Sequence, residues 1–199
     1  MKRLLDMVAA SAALLVLAPL FGAVALAIKL DSPGSVFFTQ QRIGKSFRPF
    51  WIFKFRTMTQ ADPTALPLTV GADPRITRVG AFLRRSKIDE LPQLLNILKG
   101  DMTLVGPRPE VPRYVEAFRR DYEEILTVRP GLTDLASLKY RDESALLARS
   151  SDPEEEYLKR VLPDKIRLGK EYIRRSSLIY DLNLIGKTFR KVLIPGSST

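Results

Sequence analysis

Residues 86–110 read SKIDELPQLLNILKGDMTLVGPRPE. Leu91, Leu94, Leu95 and Leu98 recur at helical spacing, and Gly100 is a natural stop. Pro92 is tolerated only in a first turn, where its missing N–H has no partner to lose, so the helix is predicted to start near residues 88–90. Asp89 then falls at the N-cap and Glu90 in the first turn, where unpaired N–H groups and the helix dipole stabilise anions. The adjacent acids can therefore be a cap and a first-turn charge, or a pair that performs chemistry.

Composition narrows that chemistry. The 199 residues suffice for one domain with a real core. With no Cys and no His, disulfides, thiolate or imidazole catalysis and zinc–thiolate sites are excluded. Any metal must sit on oxygen ligands, which favours Mg²⁺, Mn²⁺ or Ca²⁺. Lys and Arg number 32 against 22 Asp and Glu, a net +10 that suits an anionic partner: nucleic acid, acidic lipid or a phosphorylated substrate.

Three neighbours favour chemistry for the acid pair. Arg84, Arg85 and Lys87 lie just upstream and place the carboxylates in a cationic field suited to phosphate. Downstream, Pro107 and Pro109 restrict the backbone around Arg108, a guanidinium fit for bidentate phosphate contact. A Mg²⁺ bridging carboxylate and diphosphate would relieve the repulsion between them. An Asp carboxylate in such a cleft can attack phosphorus and form an acyl phosphate without any His.

Residues 4–30, LLDMVAASAALLVLAPLFGAVALAIKL, carry only Asp6 and Lys29 as charges. The stretch exceeds the ~20 apolar residues a membrane helix needs, and is longer than a signal-peptide core. Pro19 sits near its middle and predicts a bend after Ala18. The halves on either side would rise only ~16–21 Å, less than the ~30 Å hydrocarbon core. Basic residues flank both ends. A kinked spanning helix and a re-entrant helix both satisfy these features.

Beyond it, SVFFTQQRIG (35–44) and PFWIFKFRTM (49–58) read as two strands joined by a turn. Six of the ten Phe fall between residues 37 and 55, so one face of this hairpin packs while another offers an aromatic, basic shoulder to lipid headgroups. Residues 59–75 read as a loop and 76–85 as a short helix. Residues 111–126 place Val115, Phe118, Tyr122, Ile125 and Leu126 on the stripe of one amphipathic helix, and RPGLTD (129–134) reads as a turn. Residues 153–175 are charged and helical apart from Pro163. The last pattern, 177–193, spaces Leu178, Leu182, Ile185, Phe189 and Val192 on one face with basic edges, a helix for the core or for an acidic membrane. Short strands alternating with helices predict a small α/β or α+β domain.

These pieces together resemble the bacterial sugar transferase family, the small monotopic phosphoglycosyl transferases, from about residue 2 to 194. The resemblance rests on the apolar N-terminus with Pro19, FTQQRIG, KFRTM, LRRSKIDELPQLLNILKGDM, LVGPRPE, RPGLT and EYIRRSSLIYDLNLI. It implies transfer of a phosphosugar from a UDP-sugar to polyprenyl phosphate with release of UMP, assisted by Mg²⁺. By the same resemblance Asp89 is the nucleophile and Glu90 its partner, both near the metal. Arg85, Arg108 between Pro107 and Pro109, and Lys54 and Arg56 would surround the phosphates. The membrane segment, residues 1–30, would re-enter at Ala18-Pro19, and residues 31–199 would form a catalytic domain on the cytoplasmic face of the bacterial inner membrane. Partners would be UDP-sugar, polyprenyl phosphate and the bilayer, with no nucleic acid; a homo-oligomer stays open.

Two departures stand out. Ala18 replaces the Ser that many members carry, and GLTDLASLKY (131–140) stands where many have GLTGWAQVNG. The sugar donor therefore cannot be copied from a typical member. Rival readings are a silent scaffold for lipid carriers and a membrane-tethered nucleic-acid binder, neither of which needs the acid pair.

Overall fold

A computed structural model describes residues 2–59 and 68–193. The expected loop at 59–75 lies partly outside these residues, as does the side chain of Val192. The first element is helix α1 (Lys2–Asp31), followed by the antiparallel hairpin β1 (Phe37–Ile43) and β2 (Pro49–Phe55). Helices α2 (Arg78–Ser86) and α3 (Gln93–Lys99) flank a single 3₁₀ turn, Ile88–Glu90. Strand β3 (Thr103–Val105) precedes α4 (Pro112–Ala117) and α5 (Arg119–Ile125). Strand β4 (Gly131–Thr133) then pairs in parallel with β3. The chain ends in α6 (Leu135–Lys139), α7 (Glu143–Leu147), α8 (Pro153–Glu156), a π turn at Tyr157–Val161, α9 (Leu162–Arg175) and α10 (Leu178–Leu193).

The fold mixes helix and sheet, but helix dominates and the strands form two separate two-stranded sheets. The segment expected to be a turn at 129–134 contains β4, because Gly131 packs its backbone directly on Gly106. A Cβ on Gly131 would lie 2.0 Å from Gly106 N, so only glycine permits the approach. Residues 111–126 form two helices rather than one, broken where Phe118 leaves helical geometry (φ −122°, ψ 35°). The expected stripe nonetheless faces inward: Val115, Tyr122, Ile125 and Leu126 are buried and Phe118 packs against them. Their core is completed by Tyr114, Leu147, Tyr157, Val161 and Leu162. Pro163 falls in the first turn of α9, directly after the widened π turn. That widening accommodates a ring that would otherwise clash with the carbonyl four residues earlier.

Helix α1 continues unbroken through Ala18 and Pro19 rather than splitting into two helices. Its inward stripe runs Asp6, Ala10, Leu14, Leu17, Phe21, Val24 and Ile28, a helical spacing, and packs along α3, β2 and α2. Leu4, Leu5, Val8, Leu15, Val16 and Leu26 are exposed on its other faces.

Both ends of α1 are tied to the same body. Lys2 Nζ donates to Val105 O (2.9 Å), Tyr172 OH (2.8 Å) and Asp181 Oδ2 (2.6 Å). Arg3 donates to the last carbonyls of α3, Ile97 O and Leu98 O. Buried Asp6 accepts from Thr103 Oγ1 at 2.6 Å and Leu104 N at 3.3 Å. At the other end Asp31 Oδ2 accepts from Val79 N (3.0 Å), supplementing the Thr77 cap of α2. Charged side chains that meet complementary groups at both ends fix the helix against the domain.

Candidate active site

The dyad is presented by an unusual turn. Lys87 ends α2 in the left-handed region (φ 58°, ψ 15°), and its N–H still donates to Arg84 O. A non-glycine residue there costs about 1–3 kcal/mol, sustained by the packing around it. The turn reverses the chain into the 3₁₀ segment and buries both acids, Asp89 at 7% and Glu90 at 9% exposure. Asp89 does not cap α3: its Oδ1 is buried with no hydrogen-bond partner among the described residues. Pro92 instead opens α3, and Gly100 closes it in the left-handed region as the sequence predicts.

Glu90 is the neutralised member. Its Oε1 accepts from Lys54 Nζ at 2.8 Å and from Arg108 Nη2 at 2.7 Å. Burial opposes its charge, but Arg108 and Lys54 outweigh burial and hold its carboxyl well below the usual range. Asp89 shows the reverse balance. Burial, then repulsion from Glu90, pushes its carboxyl up despite Lys54, Lys87 and Arg84. Two neighbouring carboxylates are thereby separated into a quenched ion and a more basic one.

Arg108 is held from several directions. Gly106 N donates to Thr133 O (3.1 Å) and Gly131 N to Pro107 O (2.9 Å), so the β3–β4 pair seats the Pro107-Arg108-Pro109 run. On the far side Glu110 accepts from Arg42 Nη1 (2.9 Å), Val111 N (2.8 Å) and Tyr157 OH (2.7 Å). Burial raises the cost of the Glu110 charge, yet Arg42 and Lys165 keep its carboxyl below the ordinary value. At its tip Arg108 Nη1 donates to Ser137 Oγ (2.9 Å) and lies 4.0 Å from Asp134 Oδ2.

The structure thus gathers Asp89, Glu90, Lys54 and Arg108 at one place, along with Pro107 and Pro109. It puts Arg56 elsewhere. That guanidinium donates to Pro33 O (2.7 Å), Ser32 O (2.7 Å) and Ser32 Oγ (2.9 Å) beyond the end of α1. Arg85 is exposed, and its side chain makes no ion pair among the described residues. The half-buried upstream arginine is Arg84, held by Thr57 Oγ1 (2.8 Å), Thr69 Oγ1 (3.1 Å) and Met58 Sδ (3.0 Å). All three are neutral, so its charge remains available to Asp89. Ala18 and Pro19 lie exposed on α1.

The sequence reading missed Glu110, Arg42, Asp134 and Ser137. Asp134-x-x-Ser137 carried a readable signal, since Asp134 caps α6 through Ser137 N. Nothing local indicated that this cap reaches Arg108.

The donor set suits a hard cation. Asp89 Oδ1 is an acceptor without a partner among the described residues, and the adjacent carboxylate, Glu90, has one oxygen occupied by cations. No group of three or more potential ligand side chains exists among the described residues. A Mg²⁺ held here would therefore complete its shell with water and substrate oxygens, its usual habit.

The bacterial sugar transferase family model matches residues 1–195. The chain belongs to that family. It is 39% identical over 198 residues to the UDP-N-acetylgalactosamine-undecaprenyl-phosphate N-acetylgalactosaminephosphotransferase of Aeromonas hydrophila, covering 96% of this chain and 43% of that protein. It is 38% identical over 196 residues to the UDP-glucose:undecaprenyl-phosphate glucose-1-phosphate transferase of Escherichia coli, covering 96% and 40%. It is also 35% identical over 213 residues to the exopolysaccharide production protein ExoY of Rhizobium meliloti, covering 99% and 87%. The chain thus spans about two-fifths of the length of the first two relatives.

Proposed function

We propose that this member of the sugar transferase family is a phosphoglycosyl transferase that moves a sugar-1-phosphate from a UDP-sugar to polyprenyl (undecaprenyl) phosphate, initiating a glycoconjugate or exopolysaccharide. The observation that carries the reading is the asymmetry of the dyad: a buried Asp89 with an unpartnered oxygen beside a Glu90 whose Oε1 is paired with both Lys54 and Arg108. An unpartnered, more basic carboxylate is a nucleophile, whereas a doubly ion-paired one is a fixed charge.

In this reading Asp89 Oδ1 attacks the sugar-bearing phosphorus of the donor. The bond from that phosphorus to the UMP phosphate oxygen breaks, and UMP leaves with the electron pair. A phosphate oxygen of the polyprenyl carrier then attacks the same phosphorus and releases the Asp89 carboxylate. Lys54, Arg84 and Arg108 offset the charge that gathers around the phosphates. Asp89 and the free oxygen of Glu90 would hold Mg²⁺, which supplies neutralisation of the diphosphate when bound. Of the relatives, the names from Aeromonas hydrophila and Escherichia coli give both substrate classes, a UDP-sugar and undecaprenyl phosphate.

The same proposal includes a monotopic attachment, with α1 re-entering the cytoplasmic leaflet of the inner membrane. A 30-residue helix is ~45 Å long, so a spanning helix would carry one end far from the domain. Hydrogen bonds from both ends of α1 to one body support re-entry instead. Pro19 lies on the face turned away from the domain, so the bend its ring favours would close toward that domain. Exposed Phe37, Phe38 and Trp51 on the hairpin, and Leu178, Ile179, Leu182 and Phe189 on α10, offer further apolar surface to lipid.

The test uses purified protein in nanodiscs with Mg²⁺, undecaprenyl phosphate and a panel of UDP-sugars, reading UMP release and intact mass. Multiple-turnover release that requires carrier, metal and Asp89 is expected, with a single equivalent of UMP and a trapped phosphosugar adduct when carrier is omitted. UMP release that persists in Asp89→Asn would remove the nucleophile and with it the mechanism.

A further inference from the structure

Arg108 does not stand free in the cleft. Its Nη2 donates to Glu90 Oε1 at 2.7 Å, and its Nη1 donates to Ser137 Oγ at 2.9 Å. Ser137 Oγ–H in turn donates to Asp134 Oδ2 at 2.5 Å. Asp134 Oδ1 accepts from Ser137 N at 2.8 Å, which closes the first turn of α6 around the same carboxylate. Asp134 is only 3% exposed. The guanidinium is thus stretched between two acids, one on the dyad and one on α6.

We propose that Asp134 and Ser137 are positioning residues for the dyad, acting through Arg108; this rests on the transferase reading above. The hydroxyl is the central part of the device. Asp134 Oδ2 lies 4.0 Å from Nη1, too far for a hydrogen bond but close enough for attraction across a buried space. Ser137 Oγ sits between them, accepts from one and donates to the other, and keeps Arg108 from collapsing onto Asp134. Without it, Asp134 competes directly with Glu90 for the same cation. Glu90 would lose its shortest partner, retain only Lys54, and be free to turn toward Asp89 or the metal.

The arrangement also divides the labour of Arg108. Of the five donors of a guanidinium, two are committed to Glu90 and Ser137. The remaining three can meet a phosphate only in the orientation that the tether permits. The segment that supplies the tether, 134–137, is also where this chain departs from the family pattern quoted above. Arg108 is therefore oriented here by contacts that the Pro-Arg-Pro motif alone does not provide.

The experiment compares wild type, Ser137→Ala and Ser137→Thr in nanodiscs. Ser137→Ala keeps the backbone N–H that Asp134 caps, so α6 is retained. The first readout is ¹⁵N NMR of the Arg108 guanidinium, identified by loss of its signals in Arg108→Lys. Two resolved Nη resonances are expected in wild type, with averaging in Ser137→Ala and recovery in Ser137→Thr. The second readout is steady-state transfer. Displacing a positioned group is expected to lower kcat roughly tenfold with donor KM unchanged, and Ser137→Thr to restore it. Unchanged Nη signals in Ser137→Ala would show that the tether does not hold Arg108. Altered signals with wild-type kcat would show that it holds Arg108 without positioning the dyad. Either result overturns the proposal. Wild-type silence toward every UDP-sugar would instead count against the transferase reading, while the NMR comparison would still decide whether the tether exists.

Discussion

Arg108 and Glu90, eighteen residues apart in sequence, meet through Nη2 and Oε1 at 2.7 Å in a buried site. The pair leaves its neighbour Asp89 as the carboxylate with an unsatisfied oxygen. Whatever disturbs the pair should therefore register in both stability and chemistry.

Removing Glu90 strands two cations. Glu90→Ala leaves Lys54 and Arg108 facing each other without their shared acid, and breaking a buried pair from one side costs about 3–5 kcal/mol. Denaturant unfolding in detergent should show a loss of that order. A change below about 1 kcal/mol would mean that solvent already screens the cluster.

Asp89→Asn should trade activity for stability. It replaces an unpartnered buried charge by a neutral isostere, so transfer is abolished while Tm rises by about 2–4 °C for each kcal/mol recovered. Thermal unfolding in detergent, read beside UMP release, tests both halves. An unchanged or lowered Tm would indicate that Asp89 is stabilised in the fold and not held at a cost.

The pH dependence follows from the two opposite shifts. Asp89, raised above its ordinary 3.8, takes up its proton at a higher pH than a free aspartate, so the acid limb of kcat/KM should lie above that value. Because the raised carboxyl is less stable charged, the fold gains from Asp89 as pH falls through its folded pKa. Glu90, depressed below 4.5, contributes stability that is present above its unfolded pKa and lost as pH falls through its folded one. Glu90→Gln removes the repulsion on Asp89 and should shift the residual acid limb downward. An upward shift would contradict the assignment.

Glycine substitutions separate packing from propensity. Gly131→Ala places a Cβ 2.0 Å from Gly106 N, and backbone must move under the Pro-Arg-Pro run. Overpacking of this kind costs about 1–3 kcal/mol or more, and Arg108 should be displaced with loss of transfer. Gly186→Ala in α10 meets nothing within 4 Å and should stabilise by about 1 kcal/mol through helix propensity. Chemical denaturation of the two variants side by side distinguishes the effects.

Re-entry predicts a topology. In inside-out vesicles, a biotin-acceptor peptide fused ahead of Met1 and the thiol of Ser35→Cys, unique in this cysteine-free chain, should both react with impermeant reagents. Reaction of only one of them would mean that α1 spans the bilayer.

Elements with local signals are readable from residue order. Apolar length marked α1, alternation marked the β1–β2 hairpin, and leucine spacing with Pro92 and Gly100 bracketed α3. The acid pair and the Pro-Arg-Pro run stand out by residue type and spacing, and the fold brings Arg108 onto Glu90. Which charges meet depends on the folded arrangement. Arg56 and Lys54 lie two apart on one strand pattern, yet Lys54 reaches Glu90 while Arg56 binds the carbonyls after α1. Strand β4 hid as a turn because three residues carry no periodicity; its pairing depends on a glycine-to-glycine approach between residues distant in sequence. Asp134 closed an expected turn in the sequence, and its link to Arg108 through Ser137 exists only once the fold brings α6 beside the loop after β3. Periodicity and capping act within a few residues, whereas an ion pair is selected by the burial and distance of groups the chain brings together only when folded.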